Sequence, residues 1–245
     1  MSILPNILFA ILLFIGIGYF ARNVKKLIRN IKLGQDVNRK DNASERWKNM
    51  AMIALGQSKM VKRPIAGILH IIVYAGFIII NIEVIEIIID GLFGTHRILS
   101  FMGSFYDVLI ASFEILAVLV LLAVFIFWIR RNTIKLDRFA SSDLTGKPKK
   151  DANYIIYFEV ILMSLFLLMN AADFHLQHLG IGHYNQVGSF PISKFIAPLF
   201  NGMTEGIVVS IERAAWWLHI AGILVFLNYL YFSKHLHILL AFPNT

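Results

Sequence analysis

The chain has 245 residues, of which 58% are hydrophobic and 16% are charged, and its mean hydropathy is +0.68. Soluble domains carry about 25% charged residues, so this composition excludes a soluble globular domain and a disordered chain. Lysine and arginine outnumber aspartate and glutamate by 23 to 15, which gives a net charge of +8. In so apolar a chain we expect the basic residues to mark membrane topology rather than a nucleic-acid partner. With no cysteine, the chain offers no disulfide and no thiolate ligand for an iron–sulfur cluster.

Five apolar stretches are long enough to cross a lipid bilayer, which requires about 20 apolar residues in a helix. They are residues 4–20, 67–89, 105–129, 154–172 and 214–232. The apolar residues of the first stretch come before its basic residues, whereas the apolar part of a secretory signal comes after them. We therefore expect this stretch to be a retained helix. Because no strand pattern is present, the sequence predicts an all-α bundle of five membrane-spanning helices.

Basic residues are concentrated on one side of the predicted spans. Residues 22–63 contain twelve lysines and arginines, residues 130–150 contain seven, and Lys234 follows the last span. The opposite side keeps only Arg97, Lys194 and Arg213. The positive-inside rule therefore predicts a multi-pass protein of the inner (cytoplasmic) membrane, with its N-terminus outside and its C-terminus in the cytoplasm. The basic loops are either topology signals alone or also a docking surface for a cytoplasmic partner.

The predicted outer loop, residues 173–212, differs from an ordinary solvated connection. It is apolar, carries little charge and is broken by several glycines and prolines. A loop exposed to water is expected to be more polar. We therefore expect this loop to fold back in short amphipathic pieces that cap the outer ends of the helices.

Three histidines, His70, His219 and His237, lie in or at the ends of predicted spans. Ionisable residues there are costly and are functional candidates, although a lone histidine can also hydrogen-bond between helices. His219 and His237 are 18 residues apart, which in an uninterrupted helix is five turns and one common face. We expect His70 at the depth of His237. Two histidines from different helices at one depth can be the axial ligands of a haem.

A haem at His219 would need a second axial ligand. The candidates are His175 and His178, at the outer end of the fourth span, and His183 in the outer loop. The alternative is a single inner haem, with His219 lining a quinone pocket. Gly67 and Gly76, on either side of His70, leave room either for a flat macrocycle or for a neighbouring helix.

Carboxylates in the outer halves of the spans are candidates for proton exchange with a quinone. Glu86 and Glu114 are predicted close in depth to His219, where a quinone would exchange two electrons and two protons. Glu83 is expected instead to reach the outer water. Glu114 lies about ten residues inside its span, so it has either this function or a partner on another helix.

Three motifs resemble those of the NarI-like family of membrane cytochrome b subunits, which includes the nitrate reductase gamma subunit and membrane subunits of heterodisulfide-reductase-like complexes. They are Lys62-Arg63-Pro64-Ile65-Ala66-Gly67-Ile68-Leu69-His70, Trp217-Leu218-His219 and Ser233-Lys234-His235-Leu236-His237. The resemblance implies that His70 and His237 bind an inner haem b and that His219 binds an outer one. Nitrate reductase gamma subunits have a further histidine ten residues after the first, where this chain has Ile80.

The sequence is more similar still to the membrane domain of (Fe-S)-binding oxidoreductases, including proteins that resemble electron-transfer-flavoprotein:menaquinone oxidoreductases. This similarity includes His183-Tyr184 and Gly188–Pro191 and favours His183 over His175 as the second outer ligand. It implies one or two haems b, a menaquinone or related quinone, and a cytoplasmic iron–sulfur domain that follows or is separate. It also suggests an electron-transfer flavoprotein as partner. The alternative function is a haem-free membrane anchor or assembly scaffold for a cytoplasmic complex.

Overall fold

The structure, a computed structural model, describes residues 3–35, 41–134 and 145–244. Within these ranges all regular secondary structure is helical. The α-helices are α1 (Leu4–Ile31), α2 (Ala43–Met50), α3 (Pro64–Phe93), α4 (Ser104–Asn132), α5 (Lys147–Leu179), α6 (Ser193–Ile196), α7 (Glu205–Leu230) and α8 (His237–Leu240). Short π- or 3-10-helical turns lie at 51–55, 98–102, 197–200 and 234–236.

Five of the described helices, α1, α3, α4, α5 and α7, are long and apolar enough to cross a membrane. The prediction of an all-α fold with five spans is therefore confirmed, and the chain has the pattern of a multi-pass membrane protein. The first four of these helices extend beyond the predicted apolar stretches. Lysine and arginine are good helix formers, so a helix continues where the hydropathy of the sequence falls.

The fifth long helix is shifted relative to its prediction, because α7 begins at Glu205 and ends at Leu230. Side chains replace the helical hydrogen bonds beyond that point. The Ser233 hydroxyl accepts a hydrogen bond from the backbone N–H of His235 at 3.1 Å, and the Asp151 carboxylate accepts one from that of Lys234 at 2.9 Å. Such local bonds compete with a continuing helix. The prediction that His219 and His237 share one uninterrupted helix is therefore wrong.

Helix α5 lies at the centre of the bundle and packs against α4 and α7, while α3 packs against α4. Helix α1 contacts α3 and α7 and buries only Phe9 and Asn23. Gly76 of α3 allows a close approach to α4, since a Cβ atom added there would lie 2.5 Å from Cγ2 of Val120. A Cβ atom added at Gly67 would likewise lie 2.5 Å from the backbone oxygen of Met60. Both glycines therefore serve packing within the chain.

The two ends of the bundle differ in their connections. What we call the Arg97 end contains the start of α1, the connection 94–103 and the segment 180–204, which includes α6. What we call the His70 end contains the start of α3, the end of α7 and α8. The segment 180–204 is shorter than the predicted loop 173–212, because α5 and α7 each continue for about two turns into it. Four of the basic residues used to predict topology lie outside the described residues, namely Arg39, Lys40, Lys135 and Arg138.

We expect Gly76→Ala to lower the stability of the bundle by about 1–3 kcal/mol, because the added methyl group would overlap Val120. The measurement is the unfolding midpoint of the detergent-purified protein followed by helical circular dichroism. Gly18→Ala is the matched control, since a Cβ atom at Gly18 would meet nothing within 4 Å. Equal midpoints for the two variants would contradict the tight α3–α4 contact.

Candidate functional site

A buried arginine joins two long helices at the Arg97 end. Arg97, 6% exposed, donates from Nε to Oδ2 of Asp173 in α5 at 2.9 Å. Its Nη1 donates to Oε1 of Glu83 in α3 at 3.2 Å, and its Nη2 donates to Oδ1 of Asn170 at 2.7 Å. A buried charge must be paired and hydrogen-bonded, so this one side chain ties α5 to α3.

Two further carboxylates of α3 fix the connection 94–103. Asp90 accepts hydrogen bonds from two backbone N–H groups of residues 97–98, at 2.8 and 3.2 Å. Glu86 accepts one from the backbone N–H of Leu99 at 2.9 Å and one from the Tyr106 hydroxyl of α4 at 2.9 Å. Glu86, which we expected to exchange protons with a quinone, thus has both oxygens bonded to its own chain.

Glu83 does not reach water. It is 1% exposed, and one of its oxygens accepts a hydrogen bond from Arg97. The expectation that it extends to the outer solvent is therefore wrong. Ion pairing inside the bundle keeps this carboxylate buried, as is usual for charges in membrane-spanning helices.

Glu114 binds the segment 180–204 to the bundle. Its Oε2 accepts hydrogen bonds from the backbone N–H groups of Ile192 and Ser193, at 2.8 and 3.1 Å. Its Oε1 lies 3.4 Å from Nδ2 of Asn170. The sequence left two interpretations of Glu114, proton exchange with a quinone or a partner elsewhere in the chain. The geometry supplies the partner. Glu114 is not among the residues that line the cavity at this end.

A cavity of about 500 Å³ lies at the Arg97 end between α1, α3, α5 and α7. Most of the accessible surface of its wall is apolar, and Phe9, Ile87, Met169, Trp216 and Trp217 contribute to it. Charged and polar groups line the remainder, including Glu83, Glu86, His96, Arg97, Asp173, His183 and Glu212. A mostly apolar cavity with a few polar groups is the usual form of a small-molecule site.

Histidines and a tyrosine lie together beside this cavity. His96 Nε2 is 3.1 Å from Oδ1 of Asp173. The His96 ring is 5.4 Å from that of His183 and 5.1 Å from that of Tyr184, between centroids. Burial lowers the pKa of His183, and the neighbouring His96 and Arg213 lower it further, so this imidazole is neutral at neutral pH.

Two buried atoms among the cavity-lining side chains have no hydrogen-bond partner among the described residues. They are Oε2 of Glu83 and Nδ1 of His96. Because the Asp173 carboxylate accepts a hydrogen bond, the proton of a neutral His96 is on Nε2 and its lone pair on Nδ1. In an ionised Glu83 and a neutral His96, both are acceptor atoms that no described residue satisfies.

The sequence contained a signal for this network that hydropathy alone misses. Glu83, Glu86 and Asp90 are spaced by three and four residues, which places them on one face of a helix. Carboxylates on one face of a membrane-spanning helix need internal partners. The adjacent connection supplies His96 and Arg97, two site residues that the histidine and carboxylate patterns of the spans do not predict.

His219 is fully buried in the middle of the bundle, 1% exposed. Its Nδ1 lies 3.0 Å from the Leu162 carbonyl oxygen, which can only accept, so Nδ1 carries the proton. In the neutral ring the lone pair is then on Nε2. His219 lines a second, apolar cavity of about 70 Å³, together with Gly76 and Ile80.

The histidines at the Arg97 end make other contacts. Neither His175 nor His183 lines the cavity at His219, and no second histidine of the described residues does. His175 contacts the Phe200 ring, with centroids 5.9 Å apart, whereas His183 lines the larger cavity. His178 is exposed, with Nδ1 2.9 Å from the Phe174 carbonyl oxygen.

His70, His235 and His237 form a cluster at the His70 end. The rings of His235 and His237 stack, with centroids 5.7 Å apart. Burial lowers the pKa of His235 to about 4. The imidazoles of His237 and His70 also lower this pKa, whereas the carboxylate of Asp151 raises it. Nδ1 of His70 and Nδ1 of His235 are buried without a hydrogen-bond partner within the described ranges. Nδ1 of His237 lies 2.8 Å from the Lys234 carbonyl oxygen.

We expect Arg97→Ala to destabilise the protein by about 3–5 kcal/mol, because it leaves Glu83 and Asp173 buried without their cation. The unfolding midpoint and the monodisperse fraction in gel filtration measure this loss. The matched control is Lys194→Ala, which removes an exposed cation from the same end. Unchanged stability of the Arg97 variant would show that the network is dispensable.

The chain matches no family model and no solved structure. It is 31% identical over 233 residues to a protein named as a probable iron-sulfur-binding oxidoreductase, FadF, of Bacillus subtilis (strain 168). That alignment covers 95% of the chain and 31% of FadF. It is 22% identical over 214 residues to the EtfAB:quinone oxidoreductase of Syntrophomonas wolfei subsp. wolfei (strain DSM 2245B / Goettingen), covering 85% of the chain and 29% of that protein.

The chain therefore spans about a third of the length of the curated relatives it matches. Both relatives are named as oxidoreductases, and their names refer to iron–sulfur binding or to a quinone. The homology links this five-helix membrane chain to electron-transfer oxidoreductases.

Proposed function

We propose that the chain is the membrane electron-transfer part of an oxidoreductase that exchanges electrons between an iron–sulfur partner and a membrane quinone. The name of one relative refers to iron–sulfur binding and that of the other to a quinone, and these are the two ends of the proposed electron path. The five long apolar helices support a location in a bilayer, where a quinone is dissolved. In this proposal the His70 end faces the cytoplasm, as the basic residues near it predict. The bilayer is the inner (cytoplasmic) membrane.

The observation that carries this proposal is the orientation of His237 within the cluster at the His70 end. Its Nδ1 lies 2.8 Å from the Lys234 carbonyl oxygen. A metal-ligating histidine almost always donates its other ring N–H in this way, because the bond orients the ring and leaves the Nε2 lone pair for iron. His237 is one of the residues that we predicted as haem ligands.

The cluster at the His70 end suits the axial ligands of a haem b. His70 and His237 are the pair that we assign, and His235 lies beside His237. Nδ1 of His70 is buried without a hydrogen-bond partner among the described residues, so the chemistry of this side chain there is incomplete. When bound, a haem supplies one-electron transfer; these residues provide axial ligation and the apolar helices exclude water.

The surroundings of His219 do not suit a second haem with two histidine ligands. The cavity there is about 70 Å³, and His219 is the only described histidine in its lining. Ile80 lies in the same lining, where nitrate reductase gamma subunits are expected to have a histidine. We therefore propose one haem b per chain, at the His70 end.

The proposed partners follow from the two ends. A cytoplasmic iron–sulfur domain or subunit would exchange electrons at the His70 end, close to the basic residues. The relative named EtfAB:quinone oxidoreductase adds an electron-transfer flavoprotein as a candidate partner. Menaquinone or a related quinone would react in the bilayer.

The test is the haem content of the purified chain, from pyridine haemochrome quantitation and the reduced-minus-oxidised spectrum. We expect about one low-spin haem b per chain, and almost none in His70→Ala or His237→Ala, because each loses an axial ligand. The matched control, His178→Ala, removes an exposed histidine and should keep the haem.

Two outcomes would overturn parts of this proposal. A well-folded preparation without haem would exclude it and leave a membrane anchor or assembly scaffold. About two haems per chain, reduced to one by His219→Ala, would show that the cavity at His219 opens to admit a second haem.

A further inference from the structure

The large cavity at the Arg97 end has the size and wall of a site for a planar apolar ring. Its volume of about 500 Å³ is within the usual range for small-molecule sites. Phe9 and Trp216 pack against each other in its wall, with ring centroids 5.2 Å apart, and Trp217 adjoins both. Aromatic side chains of this kind stack against other rings.

The polar part of the cavity is incomplete without a ligand. Oε2 of Glu83 and Nδ1 of His96 are buried and lack a partner among the described residues. Nearly all buried polar atoms of native proteins have a hydrogen-bond partner. Two such atoms in the lining of one cavity therefore indicate a ligand that donates two hydrogen bonds.

The charges in the lining restrict the chemistry of that ligand. Five carboxylates line this region, against the two cations Arg97 and Arg213, so an anionic ligand would be repelled; the carboxylates are those of Glu83, Glu86, Asp90, Asp173 and Glu212. Arg97 already donates to three partners. A neutral aromatic ring with two hydroxyl groups meets both requirements, since it stacks in the apolar part and donates to two acceptors.

The Arg97–Asp173 pair orients both acceptors. Asp173 accepts from Nε2 of His96, which leaves the lone pair of a neutral ring on Nδ1. Arg97 binds Oε1 of Glu83, which leaves Oε2 as the unbonded oxygen. Arg97 and Asp173 are thus positioning residues, whereas Glu83 and His96 are the groups that would contact the ligand.

We infer that this cavity binds the head group of a hydroquinone or quinone, with Glu83 and His96 as the residues that exchange its protons. The inference rests on the proposed function and gives its quinone a site. When a hydroquinone is oxidised, both O–H bonds break; one proton passes to Glu83 Oε2 and one to His96 Nδ1. The two electrons would leave one at a time to the haem that His70 and His237 would hold, which would act as a one-electron acceptor. The reverse step returns both protons to a quinone.

The first test is a binding titration of the full chain in detergent with menadiol as the probe. Binding is read from the quenching of tryptophan fluorescence, since Trp216 and Trp217 line the cavity. We expect Glu83→Gln and His96→Asn each to weaken menadiol binding by about tenfold or more, because each removes an acceptor. His178→Ala, an exposed histidine of the same end, is the matched control.

The second measurement separates this inference from the proposed function. The same variants should keep wild-type haem content and full reduction by dithionite, while menadiol reduces their haem more slowly. If folded Glu83→Gln and His96→Asn bind menadiol with wild-type affinity, the inference is overturned, while haem in those preparations would leave the proposed function intact. If the chain contains no haem but the variants weaken menadiol binding as expected, the proposed function is overturned and the menadiol site remains.

A labelling experiment on the wild-type chain covers variants that fail to fold. An azido-substituted naphthoquinone, activated by light, should label peptides that contain Phe9 or Trp216 and Trp217. An excess of menadiol should suppress this labelling. Labelling confined to other parts of the chain would overturn the inference.

Discussion

The ion pair between Arg97 and Asp173 is the interaction on which the Arg97 end depends. It neutralises two charges inside a low-dielectric bundle, where neither would be stable alone. It also ties the connection between α3 and α4 to α5 and orients Glu83 and His96 at the cavity. One buried cation thus determines both the packing of this end and the arrangement of its polar groups.

The long helices were predictable from the sequence, since a helix in a bilayer must be apolar over about 20 residues. The positions of their ends were less predictable, because local hydrogen bonds decide them. Ser233 and Asp151 end the helical path after α7, and no hydropathy pattern reveals that. The prediction that His219 and His237 lie five turns apart on one face assumed an unbroken helix and was therefore wrong.

The site could be predicted in part. The buried state of His219 and the grouping of His70 with His237 followed from where histidines occur in apolar stretches. The hydrogen-bond partners of the carboxylates could not be predicted, because they depend on which helix faces which connection. Glu114 bonds to the backbone of residues 192–193, and Glu83 bonds to Arg97. These contacts join residues that are far apart in sequence or separated by a turn.

The turn at the end of α7 places His219 and His237 on separate helices. His219 is part of a long helix, whereas His237 lies on α8, beyond a turn anchored by Asp151 of another helix. The same carboxylate accepts a hydrogen bond from the Tyr229 hydroxyl near the end of α7. Asp151 therefore acts as a clamp that sets the position of α8 relative to both α5 and α7.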